Sequence, residues 1–285
     1  MKLAGKKVVI TGASQGLGHA TAALLASEGA DLLICARSSA QLETARQQVS
    51  GGASRTVFAE AVDVSVESDV RRLVDVASDQ LGGVDVLICN AAIYGPKGSI
   101  DELDWTEWVQ AININLLGTV LCCRLLLPLL RKSPRGKIIL ISGGGATKPL
   151  PFLSAYAASK AAIVRFGETL AEELRPNEID VNSVAPGALN TRMLQEIIDA
   201  GPEKVGKEFY DASLKQKDSG GTPLEKGAGL CLYLASDESN GITGKLISAV
   251  WDPWLRFQDY REDLTNTDVF TLRRIVPSER GLAWK

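Results

Sequence analysis

Seven short apolar runs recur along the chain, separated by longer amphipathic stretches. The runs are nearly continuous in Val, Ile and Leu, which is typical of strands covered on both faces of a parallel sheet. They predict strands over Lys7–Thr11, Asp31–Ala36, Thr56–Ala61, Val84–Cys89, Lys137–Ile141, Ile179–Val184 and Leu246–Val250.

The stretches between these runs repeat apolar residues with a helical period. They predict helices over Gly18–Glu28, Ser39–Val49, Glu67–Leu81, Trp105–Leu130, Ser154–Leu174 and Glu225–Ala235. Pro176 is expected to end the fifth helix. The repeated strand–helix alternation predicts an α/β fold, a doubly wound sheet of seven mainly parallel strands with helices on both faces.

Two segments interrupt this alternation. Residues 191–223 form an insertion after the sixth predicted strand, and residues 251–285 form an extension after the seventh. We expect a single domain over residues 1–250 that carries the insertion, followed by the C-terminal extension. The apolar residues of the insertion could line a substrate pocket or simply pack a helix. They are Met193, Leu194, Ile197, Ile198, Phe209 and Tyr210.

The extension is rich in large aromatic residues, whose exposure to water is unfavourable and which often anchor interfaces. They are Trp251, Trp254, Phe257, Tyr260, Phe270 and Trp284. We expect the extension to pack across a two-fold axis onto a partner subunit, near that subunit's substrate mouth, in a homodimer or homotetramer. The alternative is an extension folded on its own subunit.

Composition and charge narrow the possible partners. The chain has 285 residues, 45% hydrophobic and 23% charged, with a formal net charge of -3, as in an ordinary soluble protein. Nothing in this balance favours nucleic acid or an anionic membrane as a partner. The N-terminal stretch lacks the apolar core of a signal peptide. The most apolar later stretch, Val120–Leu130, is too short to span a bilayer, so we expect a buried helix there.

The cysteines and the single histidine indicate the compartment and argue against a metal site. Five cysteines lie in apolar runs without a CxxC pair, namely Cys35, Cys89, Cys122, Cys123 and Cys231. We expect reduced, buried thiols and a cytoplasmic protein. No metal is expected, because His19 has no clustered partners.

A glycine-rich loop follows the first predicted strand and opens the first helix, with the sequence Thr11-Gly12-Ala13-Ser14-Gln15-Gly16-Leu17-Gly18. Glycines let the backbone approach a pyrophosphate, and the helix N-terminus offers free N–H groups to the phosphates. In this position the loop predicts a dinucleotide site at Gly12, Ser14, Gln15, Gly16, Leu17 and Gly18. A plain turn between strand and helix is the alternative.

Several motifs then occur in a familiar order. They are the T-G-x-x-x-G-x-G loop, Asn90-Ala91-Ala92 after the fourth strand, Asn115, Tyr156-x-x-x-Lys160 and Pro186-Gly187. Together they resemble the short-chain dehydrogenase/reductase family over most of the chain. The resemblance implies a Rossmann-type sheet, a nicotinamide dinucleotide, and hydride transfer at a carbonyl or alcohol carbon.

The same resemblance assigns cofactor contacts to residues outside the glycine loop. They are Asp63 at the adenine edge, Asn90 in the cofactor crevice, Lys160 at the nicotinamide ribose, Pro186 and Gly187, and Thr191 at the carboxamide. Asp63 could instead cap a helix, and Asn90 and Thr191 could cap loops.

The tip of the second strand bears on the choice of cofactor. It reads Ile34-Cys35-Ala36-Arg37-Ser38, so that Ala36 stands where an NAD site usually carries an acid. A guanidinium at Arg37 would attract a 2′-phosphate. NADP(H) is therefore favoured, NAD(H) remains possible, and a solvated surface charge is the alternative for Arg37.

Tyr156 and Lys160 are four residues apart on a predicted helix and so share a face. We expect the Lys160 ammonium to favour the phenolate and lower the pKa of Tyr156 from about 10 to about 7, a shift that requires about 4 kcal/mol of interaction energy. Tyr156 can then act as a general acid or base. The family resemblance gives Asn115 a water molecule to hold in a proton relay.

The group that polarises the carbonyl is less plain. The family pattern has a serine 13 residues before the tyrosine, but this position is Gly143, and Ser142 lies one residue earlier. A regular strand would point Ser142 away from the substrate. The flexible glycines could turn Ser142 inward, or their N–H groups could bind the oxyanion themselves. We expect Ser142 to be the donor, with Thr147, Ser154 or a backbone amide as alternatives.

These motifs predict an NADP(H)-dependent oxidoreductase acting on the ketone or secondary alcohol of a small molecule. A dinucleotide-binding sensor or scaffold with weakened catalysis is the alternative, because the usual serine is displaced. If position 143 is merely vacant, Gly143→Ser should be tolerated or mildly activating.

Overall fold

The computed structural model describes residues 1–51 and 55–283. Seven strands form one fully parallel sheet in the order β3-β2-β1-β4-β5-β6-β7. The strands are β1 Lys7–Thr11, β2 Asp31–Ala36, β3 Val57–Ala61, β4 Val86–Cys89, β5 Lys137–Ile141, β6 Asp180–Ala185 and β7 Lys245–Ser248. The predicted fold class is confirmed.

Helices connect the strands and cover both faces of the sheet. They are α1 Gly16–Ser27, α2 Ser39–Ser50, α3 Glu67–Asp79, α4 Trp105–Ile112, α5 Gly118–Leu130, α6 Ser154–Leu174, α7 Arg192–Ala200, α8 Pro202–Val205, α9 Lys207–Ser219, α10 Leu224–Ala235 and α11 Arg261–Asn266. The helix α6 ends before Pro176, as predicted. A π-helical segment, Asn113–Leu117, joins α4 to α5 without a break.

The alternation of side chains along each strand divides the core into two layers. Ile10 and Ile139 lie in the layer that includes Leu25 of α1 and Leu230 of α10. Val9, Leu140 and their neighbours lie in the opposite layer, with apolar residues of α3, α5 and α6. Because both faces are covered, the strands have few polar positions, which is why the sequence shows them as continuous apolar runs.

The strand order reverses between β1 and β4. In an open parallel sheet the loops at the carboxyl ends separate at such a point and leave a crevice, where ligands usually bind. The glycine-rich loop follows β1 and the Asn90 loop follows β4. The topology therefore brings both predicted motifs to the same edge of the sheet.

The continuous helix Trp105–Leu130 is long and apolar enough to cross a membrane by length and composition alone. Its buried side chains, among them Ile114, Cys123 and Leu126, belong to one of the two core layers beside the sheet. This is the position expected for a core helix of a soluble protein, in agreement with the buried helix predicted for its second half.

Part of the C-terminal extension that the structure describes folds back on its own subunit. Phe257 is buried in the core with Phe270 packed beside it, and Trp254 lies 5.7 Å from Tyr233 between ring centroids. The Leu246 N–H of β7 donates to the Phe270 carbonyl at 2.8 Å. Our argument for a partner contact is therefore wrong for these aromatic residues, because the chain itself removes them from water. Trp284 lies outside the described residues.

Candidate active site

A cleft of about 1310 Å³ runs along the carboxyl ends of the strands. Residues that follow each strand line the walls of the cleft. This is the arrangement expected for a crevice at the point where the strand order reverses. A pocket for one small ligand usually encloses about 300 to 1,000 Å³. This cleft can therefore hold a dinucleotide together with a second molecule.

Most of the predicted site residues line this one cleft. They are Gly12, Ser14, Gln15, Gly16, Leu17, Arg37, Asp63, Asn90, Ser142, Tyr156, Lys160, Pro186, Gly187 and Thr191. Gly18 and Asn115 do not form part of the lining. The fold thus brings together residues that are far apart in the chain. Gly18 and Asn115 contribute indirectly, through the residues that they contact.

The glycine-rich loop packs so closely that side chains would not fit. Gly12 has a φ of +65°, and a Cβ there would lie 2.7 Å from Ala91 Cα. A Cβ on Gly18 would lie 2.4 Å from the Gly12 carbonyl oxygen. The Asn90 side-chain amide donates to the Thr11 and Gly12 carbonyl groups at 3.0 and 2.9 Å. Asn90 therefore holds the loop in shape from the neighbouring strand.

The loop leads into α1 with no side-chain cap. Gln15 is the N-cap residue, and its side chain makes no capping hydrogen bond. The backbone N–H groups of the first turn therefore keep their capacity to bind an anion. A cradle that excludes Cβ atoms, next to an uncapped helix N-terminus, fits the pyrophosphate of a dinucleotide.

The tip of β2 places Arg37 on the cleft. Its side chain is exposed, and no carboxylate lies within ion-pair distance of it among residues 1–51 and 55–283. Ala36 is 9% exposed at the end of the strand. The guanidinium is thus free to meet a charged group of a ligand at this end of the cleft.

Asp63 does not cap α3, because the N-cap of that helix is Val66 and has no side-chain capping hydrogen bond. Asp63 lines the cleft, and its carboxylate accepts hydrogen bonds from the Ser65 N–H at 2.9 Å and the Ser65 hydroxyl at 2.6 Å. These bonds form a turn shortly before α3 begins at Glu67. The carboxylate is therefore held in place at the wall of the cleft by its own turn.

Tyr156 and Lys160 lie on one face of α6 and are 8% and 2% exposed. The Lys160 Nζ is 5.6 Å from the centroid of the Tyr156 ring and donates to the Ile141 carbonyl at 2.8 Å. Burial raises the pKa of Tyr156 well above its usual value, and the nearby Tyr94 raises it further. Burial lowers the pKa of Lys160 to about 8.

This arrangement corrects our expectation for the tyrosine. In the chain alone the pKa of Tyr156 is raised and not lowered, because burial removes hydration from the phenolate and the Lys160 ammonium is directed to a backbone carbonyl. Tyr156 therefore stays protonated at neutral pH, in the form that donates a proton.

Positions 142 and 143 have different surroundings. The Ser142 N–H donates to the Val184 carbonyl at 2.8 Å, so pairing between the strands continues through this residue. Its hydroxyl is buried and has no hydrogen-bond partner in the described part of the chain. A Cβ on Gly143 would lie 2.4 Å from the Tyr156 hydroxyl. Position 143 is thus the one that faces Tyr156.

The space beside Gly143 is not vacant, since the Tyr156 hydroxyl occupies it. The expectation that Gly143→Ser would be tolerated is therefore wrong for this packing, because the tyrosine ring would have to shift. Of the other candidates, Thr147 lines the cleft and is exposed. The Ser154 hydroxyl accepts a hydrogen bond from the Trp108 indole at 3.0 Å and supports α4.

Asn115 lies in the π-helical segment, a type of distortion that is frequent at functional sites. Its side-chain amide donates to the Ile93 carbonyl at 2.8 Å and to the Ser159 hydroxyl at 3.0 Å, and its oxygen accepts from the Ile93 N–H at 2.8 Å. Asn115 therefore joins the loop after β4 to α6 and fixes the loop relative to Tyr156.

Sequence reasoning missed Tyr94. Its ring meets the Tyr156 ring edge to face, with 4.7 Å between centroids and an angle of 62°. Lys97 lies 5.6 Å from the Tyr94 ring on the same loop and forms an ion pair with Glu196 of α7 at 3.8 Å. The one signal for Tyr94 in the sequence is its position four residues after Asn90. A single aromatic residue in a loop forms no recognisable pattern.

Known proteins match both the sequence and the structure. The sequence profile described as short chain dehydrogenase matches residues 6–201. Glucose 1-dehydrogenase of Gluconobacter oxydans is 37% identical over 251 residues, which cover 86% of this chain and 91% of that protein.

Two solved structures show the same fold. A levodione reductase superposes with a TM-score of 0.79 at 27% identity, covering 86% of this chain and 96% of that one. Carveol dehydrogenase from Mycobacterium avium in complex with NAD superposes with a TM-score of 0.76 at 25% identity, covering 87% and 96%. With the site geometry, these matches establish that the chain belongs to the short-chain dehydrogenase/reductase family of NAD(P)-dependent oxidoreductases.

Proposed function

We propose that this enzyme is an NADP(H)-dependent oxidoreductase that interconverts a ketone and a secondary alcohol of a small molecule, with Tyr156 as general acid and base. The observation that carries the proposal is the position of the Tyr156 hydroxyl. It lies against Gly143, in the cleft that also contains the glycine-rich loop.

Each element of the site has a separate task in this proposal. Gly12 and the first turn of α1 hold the pyrophosphate, and Lys160 and Thr191 hold the nicotinamide half. The bound nicotinamide supplies or accepts the hydride. Tyr156 donates a proton to the carbonyl oxygen during reduction and accepts one during alcohol oxidation. Since burial raises the pKa of Tyr156, the hydroxyl keeps its proton at neutral pH and is in the form needed for reduction.

The group that polarises the carbonyl has two candidates, each supported by one observation. Ser142 has a buried hydroxyl with no partner in the described residues, and it precedes the position that faces Tyr156. The N–H groups of Gly143 and Gly144 are the alternative, because both glycines line the cleft and Gly143 lies against the Tyr156 hydroxyl. We retain Ser142 as the proposed donor.

Tyr156→Phe tests the central assignment. We expect near-total loss of turnover with the cofactor Kd unchanged, because the variant loses one hydroxyl and little volume. Tyr260→Phe, in the C-terminal extension, is the matched control and should retain full activity. Turnover in Tyr156→Phe comparable with the wild type would reject the role. Cofactor binding by the wild type without turnover of any ketone would favour the sensor or scaffold instead.

Ser142→Ala separates the two candidate donors. Loss of an oxyanion donor typically costs about 10² to 10³ in rate, so we expect at least a tenfold fall in kcat. An unchanged kcat would transfer the role to the glycine amides.

The preference for NADP(H) rests on Arg37, whose exposed guanidinium lines the cleft with no paired carboxylate among the described residues. We expect NADPH to bind more tightly than NADH, and Ala36→Asp combined with Arg37→Ala to reverse the order. Arg131→Ala, another exposed arginine but outside the cleft lining, is the control. A wild type that prefers NADH would contradict the assignment.

We also propose that the enzyme forms a homodimer or homotetramer and is located in the cytoplasm. Exposed apolar side chains on the helix Trp105–Leu130, among them Trp105 and Leu117, are consistent with a contact between copies. All five cysteines are free and buried, as suits a reducing compartment. The mass in solution, measured by light scattering, tests the assembly.

A further inference from the structure

The Tyr156 end of the cleft has an apolar wall, which consists of Tyr94, Leu150, Met193, Ile197 and Phe209. These side chains come from three parts of the chain: the loop after β4, the loop before α6, and the insertion helices α7 and α9. With Tyr156 they form a small apolar cluster that is separate from the two core layers of the sheet.

The chain itself does not bury this wall completely. Ile197 is 0% exposed and anchors the cluster, whereas Tyr94, Leu150, Met193 and Phe209 are only partly buried while lining the cleft. Apolar surface that remains open inside a cleft favours an apolar ligand, since the ligand removes it from water.

Three polar side chains on this side of the cleft already donate hydrogen bonds to nearby backbone carbonyl groups. The Ser213 hydroxyl donates to the Phe209 carbonyl at 2.8 Å. The Asn190 amide donates to the Gln216 carbonyl at 3.3 Å, and the Gln216 amide donates to the Leu189 carbonyl at 3.1 Å. These three groups are already engaged as donors, which leaves fewer donors for the hydroxyls of a sugar or polyol.

The charged groups near the wall are paired or exposed. Lys97 and Glu196 form an ion pair with each other, and neither lines the cleft. Lys148 and Arg192 line the cleft but are exposed. Lys160 lies at the reacting centre and donates to the Ile141 carbonyl. The five wall residues therefore carry no charge, although Lys148 and Arg192 remain available to an anionic group elsewhere in the cleft.

From these contacts we infer that the substrate is an uncharged ketone or secondary alcohol whose carbonyl or carbinol carbon carries apolar groups. Polar or charged groups placed against the wall would lose hydration without gaining a partner there, so we expect sugars, polyols and charged oxoacids to react poorly. The inference rests on the proposed function. The wall residues determine specificity, whereas Tyr156 performs the proton transfer.

A series of cyclohexanones tests the inference with one reacting group. The substrates are cyclohexanone, 4-methylcyclohexanone, 4-hydroxycyclohexanone and 4-oxocyclohexanecarboxylate, each with saturating NADPH. We expect the methyl group to raise kcat/KM about fourfold. We expect the hydroxyl to lower it at least about fivefold and the carboxylate to lower it further. Equal or higher kcat/KM for the hydroxylated or carboxylated ketone would overturn the inference.

A variant of the wall makes the test specific to the residues. In Phe209→Asn we expect kcat/KM for 4-methylcyclohexanone to fall at least tenfold while the ratio between the hydroxylated and methylated ketones shifts towards the hydroxylated one. The Kd for NADPH should change less than twofold. Leu255→Asn, at a 74% exposed apolar residue of the extension, is the control. If Phe209→Asn does not fold, Met193→Gln makes the same test at nearly constant volume.

Binding separates this inference from the proposed function. If NADPH binds but no ketone is turned over, the proposed function fails and the wall is tested by equilibrium binding to the cofactor complex. Trp251 lines the cleft, so its fluorescence can report the binding of 4-methylcyclohexanol and 4-hydroxycyclohexanol. Tighter binding of the methyl compound supports the apolar wall as the specificity determinant. Equal binding, or tighter binding of the hydroxylated compound, refutes it.

Discussion

The buried ammonium of Lys160 should make the stability of this enzyme depend on pH in a predictable way. Burial lowers the pKa of Lys160 from 10.5 to about 8. One pKa unit corresponds to about 1.4 kcal/mol, so holding the charged form in the folded state costs about 3 kcal/mol relative to a neutral amine. A group to which we assign a role in the active site thus destabilises the fold at neutral pH.

The sign of the effect follows from proton binding. Between about pH 8 and pH 10.5 the unfolded chain keeps the Lys160 proton and the folded chain releases it. The free energy of unfolding therefore rises with pH in this window. The penalty is fully present below about pH 8 and disappears as the pH approaches 10.5. From pH 7 to pH 9 the gain from this one residue is about 1.4 kcal/mol.

Urea unfolding of the wild type and Lys160→Met at pH 7, 8 and 9 measures this term. Methionine is similar in length and cannot be protonated, so other titrating groups cancel in the comparison. We expect the gain of about 1.4 kcal/mol in the wild type to be missing in the variant. The exposed Lys132→Met is the control. If the wild type and Lys160→Met showed the same dependence on pH, the ammonium would not be buried at this cost.

Three further predictions follow from close contacts. Gly143→Ala should lower kcat at least about tenfold, because its Cβ would lie 2.4 Å from the Tyr156 hydroxyl. The control Gly144→Ala should stay active, because a Cβ there meets open space. Equal activities of the two variants would contradict this packing. Phe257→Ala should lower the free energy of unfolding by about 3 to 5 kcal/mol, since the side chain is 1% exposed; a loss below about 1 kcal/mol in urea unfolding would contradict its place in the core. Asp180→Asn should cost a similar amount, because it leaves the Lys137 ammonium, 2.7 Å away and buried, without its carboxylate; an unchanged urea midpoint would show that the pair contributes nothing.

The boundaries of the strands show where the local sequence pattern was sufficient to predict them and where it was not. Predicted and observed limits of β1, β2 and β5 are the same, because each is a continuous apolar run in the middle of the sheet. The seventh strand was predicted to reach Val250 but ends at Ser248. There the Ser248 hydroxyl accepts hydrogen bonds from the Val250 and Trp251 N–H groups, and Asp252 accepts from the Ser248 N–H at 2.7 Å, which turns the chain.

The extension required the tertiary structure. Its aromatic composition correctly indicated burial for Phe257 but not for Trp251, which is 85% exposed, and composition does not say which surface receives a residue. Phe257 and Phe270 are received by the chain's own core beside β7, so the simpler alternative holds for these residues.

By itself the sequence determined the parallel sheet, the order of its elements and the residue types of the site, because hydrophobic period and short motifs are local properties. Only the tertiary structure decided that Gly143, and not Ser142, faces the Tyr156 hydroxyl, and that Tyr94 packs against the same ring. It also decided the direction of the pKa shift of Tyr156, which the presence of a lysine four residues along the helix does not determine. Each of these depends on distances between segments far apart in the chain and on how much water they exclude, and neither quantity is encoded in the spacing of residues along one helix.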